Sequence, residues 1–178
     1  MSDGSEVSRH TPAVRLVELG PDAMAALLDG DLVAASVAAG VELTDYFTSG
    51  ECTWLWQLRL DQVASDPAAQ GWVARAAVDE ASGLVVGHAG FHGPPDASGL
   101  VEVAYSVDPR HRRRGYSRAV LGELLRRAGS EPDVRTVRAT VSPDNVASLA
   151  TVAGAGFVHV GEQLDEVDGL ELVFERPA

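Results

Sequence analysis

The 178-residue sequence contains no lysine, no isoleucine, one asparagine and one cysteine. A single cysteine, Cys52, excludes an internal disulfide and every zinc site that needs two or more thiolates. The absence of lysine excludes a classical P-loop nucleotide hydrolase, because the phosphate loop of that class requires one.

Long hydrophobic runs are also missing, since no stretch approaches the ~20 apolar residues that a membrane span needs. With 46% hydrophobic and 22% charged residues, the composition is that of a globular protein. The length favours one domain, which we place at residues 13–178 behind a flexible polar tail at residues 1–12. The tail lacks the apolar core of a secretory signal, so we expect a cytoplasmic protein with no membrane partner.

Positive charge is scarce and unevenly distributed. The formal net charge of −12 argues against broad contact with a phosphate backbone, so we expect no nucleic-acid partner. Five of the 14 arginines nevertheless fall within nine residues, namely Arg110, Arg112, Arg113, Arg114 and Arg118. An acidic chain therefore carries one concentrated basic segment.

The apolar pattern predicts a mixed α/β domain that begins with a strand near Val14 and a helix starting at Pro21. Residues 31–69 have a blurred helical pattern. Its predicted inward positions are Trp54, Leu55, Leu58 and Val63. Three antiparallel strands are expected over residues 72–78, 84–91 and 100–107, separated by turn compositions.

The second half of the pattern predicts a polar loop after Val107, a helix ending near Gly129 and a strand over residues 134–141. Ser142 can cap the next helix, with Pro143 in the first turn. A final hairpin is expected to turn at Asp168 and Gly169.

The segment VEVAYSVDPRHRRRGYSRAV, from Val101 to Val120, combines a strand, a basic loop and a helix start. Free backbone N–H groups and the positive end of the helix dipole converge there with arginine side chains. Gly115 has no side chain, so the backbone can approach a phosphate closely at this position. The segment therefore indicates an anion cradle, the alternative being a solvated arginine run.

The motif Arg112-Arg-Arg-Gly115-Tyr-Ser117 resembles the Arg/Gln-x-x-Gly-x-Gly/Ala signature of the GNAT superfamily of N-acetyltransferases, with Ser117 in place of glycine or alanine. The later segment from Asn145 to Phe157 resembles the helix and Gly-Phe turn of the Rim-type ribosomal-protein and small-amine acetyltransferases. This resemblance covers roughly residues 13–176. It implies a mostly antiparallel sheet, splayed after the fourth strand, with helices on both faces.

The resemblance also implies a cofactor, acetyl-CoA, as co-substrate and an amine as acceptor. The cradle residues would hold the CoA pyrophosphate through backbone amides, and they are Arg112, Arg113, Arg114, Gly115, Tyr116 and Ser117. Val107 would pair its main chain with the pantetheine arm, and Asn145 and Ser148 would contact the cofactor from the next helix. Asn145 alternatively serves only as a polar residue in a helix first turn.

Catalysis requires a base for the amine proton, and Glu102 is the candidate because it lies within an apolar strand. An outward-facing Glu102 without a catalytic role is the alternative. Many GNAT enzymes protonate the leaving thiolate with a tyrosine seven residues after the motif asparagine, where this sequence has Val152. We therefore assign no tyrosine acid, and we expect Tyr105 to pack in the sheet.

The acidic surface predicts a cationic amine acceptor, with Asp165, Glu166 and Asp168 clustered on the final hairpin. Acidity that only maintains solubility is the alternative. We predict no metal site, because His88 and His92 lie ~13 Å apart if they share a strand. His88 is expected to be packed or hydrogen-bonded, or else to line the acceptor pocket. The sequence does not decide between a monomer and a homodimer.

Two other function classes fit parts of the sequence. Gly115-Tyr-Ser117-Arg-Ala119 approximates the nucleophile elbow of a serine hydrolase, followed by Asp144 and His159 in triad order. Against this, at least seven residues separate Val107 from Gly115, whereas an elbow turns directly from strand to helix. A noncatalytic acyl-CoA-binding protein is the third reading, suggested by the missing tyrosine.

Overall fold

The computed structural model describes residues 12–165 and 169–178, and within them a seven-stranded mixed sheet carries six α-helices. The strands are β1 (Val14–Glu18), β2 (Arg75–Asp79), β3 (Val85–Phe91), β4 (Leu100–Val107), β5 (Thr136–Val141), β6 (Val158–Asp165) and β7 (Gly169–Pro177). The helices are α1 (Pro21–Leu28), α2 (Leu32–Ala39), α3 (Gly50–Ser65), α4 (Gln70–Val73), α5 (Tyr116–Ser130) and α6 (Val146–Gly154). This architecture confirms the mixed α/β fold.

The sheet order is β1-β2-β3-β4-β5-β7-β6. Every neighbouring pair is antiparallel except β4 and β5, which run parallel. That central pair consists of Leu100, Val101 and Glu102 opposite residues 136–138. Beyond Glu102 the two strands diverge, so the predicted splay is present and begins inside β4.

Side chains from the two faces of the sheet form two hydrophobic layers. The first contains Met24, Leu27 and Trp56 from helices α1 and α3, each at most 1% exposed. The second contains Leu121 and Leu124 of α5. Burial of such side chains contributes roughly 1.5–3 kcal/mol each, so the helices on both faces are held by the sheet between them.

The inward face of helix α3 agrees with the prediction at Leu55 and Val63 and differs from it at Trp54 and Leu58. Trp54 and Leu58 are 62% and 48% exposed, whereas Trp56 and Val63 are buried. The indole N–H of Trp56 donates to the Phe47 carbonyl at 2.7 Å, which fixes that ring inside. The prediction was wrong for Trp54 and Leu58, because apolar side chains mark cavity walls as well as cores.

Three local expectations also change. Trp72 lies in helix α4 and not in a strand, so β2 begins at Arg75. Ser142 does not cap α6, since the Asn145 side chain accepts from the Ser148 N–H at 3.1 Å. The C-terminal hairpin is confirmed by pairing of β6 with β7, but Gly169 is the first residue of β7 and pairs with Asp165, so it does not lie in the turn as predicted. Glu166 and Asp168 lie outside the described residues, as do residues 1–11 of the expected tail.

Strand β3 packs against the rest of the fold too closely for side chains at two positions. A Cβ at Gly87 would lie 2.1 Å from the Ser106 carbonyl oxygen, and one at Gly90 would lie 2.4 Å from the Val73 carbonyl oxygen. Both glycines permit close backbone approach beside the region where β4 leaves β5.

Among the helices of the described chain, none is both long and apolar enough to cross a membrane.

Candidate functional site

The connection from β4 to α5 exposes a series of backbone N–H groups. Arg113 and Gly115 adopt left-handed backbone conformations, with φ of 63° and 88°. Gly115 is the N-cap of α5 and supplies no side-chain cap, so the N–H groups of the first turn lack that partner. Together with the positive end of the helix dipole, these groups favour an anion.

The first half of this loop is held by the buried Asp108. Its carboxylate, in a residue that is 1% exposed, accepts from the Arg110 N–H at 2.9 Å and from Thr44 Oγ1 at 3.3 Å. The Arg110 guanidinium bonds both Asp108 and Asp45. Burial alone would raise the pKa of Asp108, but the bonds from Arg110 outweigh it and lower that pKa. Arg110 therefore positions the loop and is not a free ligand-binding arginine.

A cavity of about 950 Å³ opens between this loop, β4 and α6, and we refer to it as the cradle. The structure brings eight of the nine predicted cofactor-binding residues together on its wall. They are Val107, Arg112, Arg113, Arg114, Gly115, Ser117, Asn145 and Ser148. The side chain of Tyr116 does not line the cradle, because it packs edge-on against His111 at 6.1 Å and against the second core layer.

Two of the lining residues also make local contacts. Arg112 Nε donates to the Val107 carbonyl at 3.0 Å, which ties the loop back to the end of β4. Asn145 Oδ1 caps α6 at Ser148, which is the local role that sequence reasoning kept as its alternative. These contacts set the shape of the cradle and leave the Val107 N–H available.

The diverging part of β4 presents main-chain groups to the gap. The His92 N–H donates to the Glu102 carbonyl and the Asp108 N–H to the Val86 carbonyl, so even-numbered residues of this strand face β3. Because successive residues alternate, the main-chain groups of Val103, Tyr105 and Val107 point toward the gap. An extended ligand that contains amides can pair with them there.

A second cavity of about 620 Å³ adjoins the cradle. The two share Tyr105, Ser106, Asn145 and Ser148 on their walls. One stripe of α3 forms the far wall, at positions spaced i, i+3, i+4, i+7 and i+8. Its residues are Glu51, Trp54, Leu55, Leu58 and Arg59. The exposed apolar side chains of α3 therefore face this cavity, and Trp54 is the tryptophan that borders it most openly.

His88 lies in an aromatic group on the wall of the second cavity. Its ring stacks on Tyr46 at 5.9 Å and meets the Trp56 ring edge-on at 5.4 Å. Burial, with the positive charge of Arg59 as a smaller cause, lowers the pKa of His88 to about 4. The ring is neutral near pH 7, and it is both packed and cavity-lining, as the two sequence alternatives described.

Glu102 points into a small polar network. Thr140 Oγ1 donates to Glu102 Oε1 at 2.6 Å, and His92 Nδ1 lies 3.9 Å from the same oxygen. The Glu102 side chain is 16% exposed. His92 and Thr140 line the second cavity, whereas Glu102 lies just behind them. Burial lowers the pKa of His92 and the Glu102 charge partly opposes this.

The position of a proton donor for a leaving group differs from the common family pattern. Val152 occupies that position. It is 1% exposed and belongs to the second core layer, and its aliphatic side chain has no proton to donate. Tyr105 packs against that layer, as expected, and also borders both cavities. Burial raises its pKa to about 12. Tyr46, whose hydroxyl lies 2.7 Å from Ser106 Oγ, borders the second cavity as well.

Sequence reasoning missed Arg59 and Tyr46. Arg59 is the only cation between Arg15 and Arg75, and it interrupts the apolar run TWLWQLRL. A lone arginine within such a run is a signal that could have been followed. Tyr46 carries no comparable signal, because its neighbours in the site come from strands β3 and β4.

The serine hydrolase alternative lacks its geometry. Ser117 lies in the first turn of α5, and eight residues separate the end of β4 from the start of that helix, so the chain makes no direct strand-to-helix elbow. Within the described chain, no hydrogen bond joins Ser117 to Asp144 or His159, and the His159 ring packs on Phe174 at 5.3 Å. In residues 12–165 and 169–178, no group of three or more His, Cys, Asp or Glu side chains is arranged to hold a metal ion.

Comparison with known proteins adds a family match. The family model described as acetyltransferase (GNAT) domain matches residues 29–158. The uncharacterized N-acetyltransferase YjdG of Bacillus subtilis (strain 168) is 34% identical over 74 residues. That match covers 42% of this chain and 44% of the relative, so it spans less than half of either protein.

Solved structures resemble the whole fold. A mutant form of the spermidine N-acetyltransferase of Vibrio cholerae has a TM-score of 0.64 at 14% identity, covering 92% of this chain and 93% of its own. The ribosomal-protein-S5-alanine acetyltransferase of Vibrio fischeri has a TM-score of 0.61 at 16% identity, with 92% and 91% covered. A microcin self-immunity acetyltransferase in complex with acetyl-CoA and AMP has a TM-score of 0.63 at 12% identity, with 93% of each chain covered.

Proposed function

Because the chain belongs to the GNAT family of acetyltransferases, we propose that it transfers the acetyl group of acetyl-CoA to an amine in a ternary complex. The observation that carries this proposal is the junction of two cavities where β4 leaves β5. One cavity is basic and bordered by free backbone groups, and the other holds a proton-accepting network. Tyr105 and Ser106 stand between them.

The cofactor occupies the cradle in this proposal. Arg112, Arg113, Arg114, Ser117 and the α5 N-terminus hold the pyrophosphate, since anions bind at helix N-termini. The pantetheine arm extends through the gap and pairs with main-chain groups of β4. This places the thioester near Tyr105, at the boundary with the second cavity. The structural neighbour that contains acetyl-CoA supports the choice of cofactor.

The amine enters from the second cavity and attacks the thioester carbonyl carbon. A carbon–nitrogen bond forms, the carbon–sulfur bond breaks, and the CoA thiolate leaves. The acceptor arrives as an ammonium ion and gives one proton to Glu102, through His92 or a water, before it attacks, because the carboxylate lies behind the cavity wall. After attack the nitrogen loses its second proton to solvent or to the departing thiolate. A thiol pKa near that of cysteine, ~8.5, means that the thiolate needs little help from an acid at neutral pH.

The acceptor approaches as a protonated amine. Glu51 and Glu171 line the second cavity, and the wider surface is acidic, so ammonium groups are concentrated near the site. The cytoplasmic location and the homodimer stay predictions. A noncatalytic acyl-CoA-binding protein is distinguished by turnover alone, measured as thiol release with a panel of polyamines, aminoglycosides, amino acids and N-terminal peptides.

The cofactor site is tested by the double variant Arg112→Ala/Gly115→Glu, which removes a cation and adds bulk and negative charge. We expect CoA affinity in titration calorimetry to fall by at least about 100-fold, given the charge-assisted contacts involved. The control is Arg126→Ala, an exposed arginine on the same helix that pairs with Glu123, and it should retain affinity. Unchanged CoA binding by a folded double variant would contradict the assignment.

A further inference from the structure

The second cavity contains a buried cation that the proposed reaction does not use. Arg59 is 5% exposed and lines that cavity from helix α3. Its Nη1 donates to Gln62 Oε1 at 2.9 Å and to the His92 carbonyl at 3.4 Å. Arg59 Nε is enclosed and has no hydrogen-bond partner. Within the described residues, Nη1 is thus engaged and the Nε donor is not.

No carboxylate compensates this charge. Among residues 12–165 and 169–178, the ion pairs within 4.0 Å do not include Arg59. Burial lowers the pKa of Arg59, and no neighbouring carboxylate opposes the effect. An unpaired buried charge costs several kcal/mol. The site is therefore electrostatically incomplete without an anion.

The same cavity is organised for an amine at a neighbouring position. Gln62 Nε2 donates to the His92 carbonyl, the same oxygen that Arg59 contacts. The His92 ring in turn lies 3.9 Å from Glu102. One residue, His92, thus separates the unpaired cation from the proposed proton acceptor. Two complementary charges on one small molecule can occupy these two positions together.

We propose that the acceptor is an amino-carboxylate of the α-amino-acid type, whose carboxylate pairs with Arg59 while its amine faces His92 and Glu102. This inference rests on the proposed acetyl transfer and names the substrate class of the same site. The Arg59 guanidinium borders the cavity, and a carboxylate is the group whose charge complements it there. Trp54 and Leu58, exposed on the cavity wall, contact an apolar side chain of the acceptor.

The charge of Arg59 also argues against a polyamine. A polyamine brings several positive charges and no anion, so its ammonium groups would be attracted by Glu51 and Glu171 but would leave Arg59 without a counter-charge. The likeness to a spermidine N-acetyltransferase, at 14% identity, concerns the fold. Arg59 thus refines the expectation of a cationic acceptor, because the ammonium is retained and a carboxylate is added.

The test compares acceptors that differ in one group. Thiol release from acetyl-CoA is measured with leucine, methionine and phenylalanine, with their amides, and with spermidine. We expect at least one free amino acid to exceed its amide by about 100-fold in kcat/KM, as expected when a buried charge is left unpaired. This comparison uses the wild-type protein, so it does not depend on the folding of a variant.

Variants then assign the preference to Arg59. Arg59→Gln should raise KM for the free amino acid and reduce the acid-to-amide ratio to within about threefold, while Arg59→Lys restores part of it. Gln57→Ala, on an exposed face of α3, is the control and should keep the wild-type ratio. Amides or spermidine turned over as well as the acids would overturn this inference and leave acetyl transfer intact. An absence of turnover with every amine, together with no binding of acetyl-CoA, would overturn both.

Discussion

His88 makes the stability of the fold depend on pH in a way that can be calculated. Its pKa is about 4 in the folded protein, because of burial first and the charge of Arg59 second. The unfolded chain has an ordinary histidine pKa of about 6.5. Between these two pKa values the unfolded state binds the proton more readily than the folded state. The contribution of His88 to the unfolding free energy is therefore fully present above the unfolded pKa and is lost as the pH falls toward the folded pKa.

The expected size follows from linkage. Each unit of difference between the folded and unfolded pKa corresponds to about 1.4 kcal/mol of unfolding free energy, so the full difference for His88 corresponds to about 3 kcal/mol. Between pH 7 and pH 5 the contribution of His88 falls by about 2 kcal/mol. The substitution His88→Phe removes the titrating group and keeps an aromatic ring against Tyr46 and Trp56. Its unfolding free energy should fall less steeply below pH 7 than that of the wild type.

Urea unfolding at half-unit steps from pH 7.5 to pH 5 measures this difference. The difference in unfolding free energy between wild type and His88→Phe should shift by about 2 kcal/mol over that range, whatever its value at pH 7. The control is Leu164→Ala, at an exposed residue of β6 that carries no titratable group, and it should run parallel to the wild type. If His88→Phe also runs parallel, the histidine is as easily protonated folded as unfolded, and the reasoning from burial fails.

Three further substitutions test the catalytic and structural roles. Glu102→Gln keeps the size of the side chain and removes the base, so kcat should fall by on the order of 100-fold at neutral pH and recover partly as pH rises. A loss of kcat within about twofold, with an unaltered pH profile, would indicate that an ordered water and not Glu102 accepts the amine proton. Gly90→Ala places a Cβ 2.4 Å from the Val73 carbonyl oxygen and should cost about 3 kcal/mol in urea unfolding. Gly122→Ala, with nothing within 4 Å on α5, should instead stabilise by about 0.5–1 kcal/mol, and equal effects of the two would refute the packing argument.

The cradle could be predicted because its residues are contiguous. Arg112 to Ser117 lie in one loop and one helix turn, so local backbone rules describe most of their geometry. The predicted cap at Ser142 was wrong for a related reason. Serine and asparagine are both good caps, and only two residues separate them here, so the pattern alone did not distinguish Ser142 from Asn145.

The acceptor side could be predicted less well because it is assembled from distant segments. Trp54 and Leu58 repeat at helical spacing whether a helix faces a core or a cavity. Which of the two applies depends on the sheet, whose strands β4 and β5 separate only after chain segments far apart have paired. Arg59 and His92 are 33 residues apart in sequence, and their contact depends on how α3 packs beside the end of β3.

The brief pairing of β4 with β5 has a consequence for cooperativity. Within the described residues, Leu100, Val101 and Glu102 are the paired positions that join the β1–β4 half of the sheet to the β5–β7 half, extended by two backbone hydrogen bonds to the Gly99 carbonyl. The second hydrophobic layer spans both halves, with Val86 on one side and Val137 on the other packed beneath α5. Cohesion between the halves therefore comes mainly from side-chain packing, which is non-directional and tolerates small shifts. The fold can thus keep an open slot through its middle and still unfold as one unit.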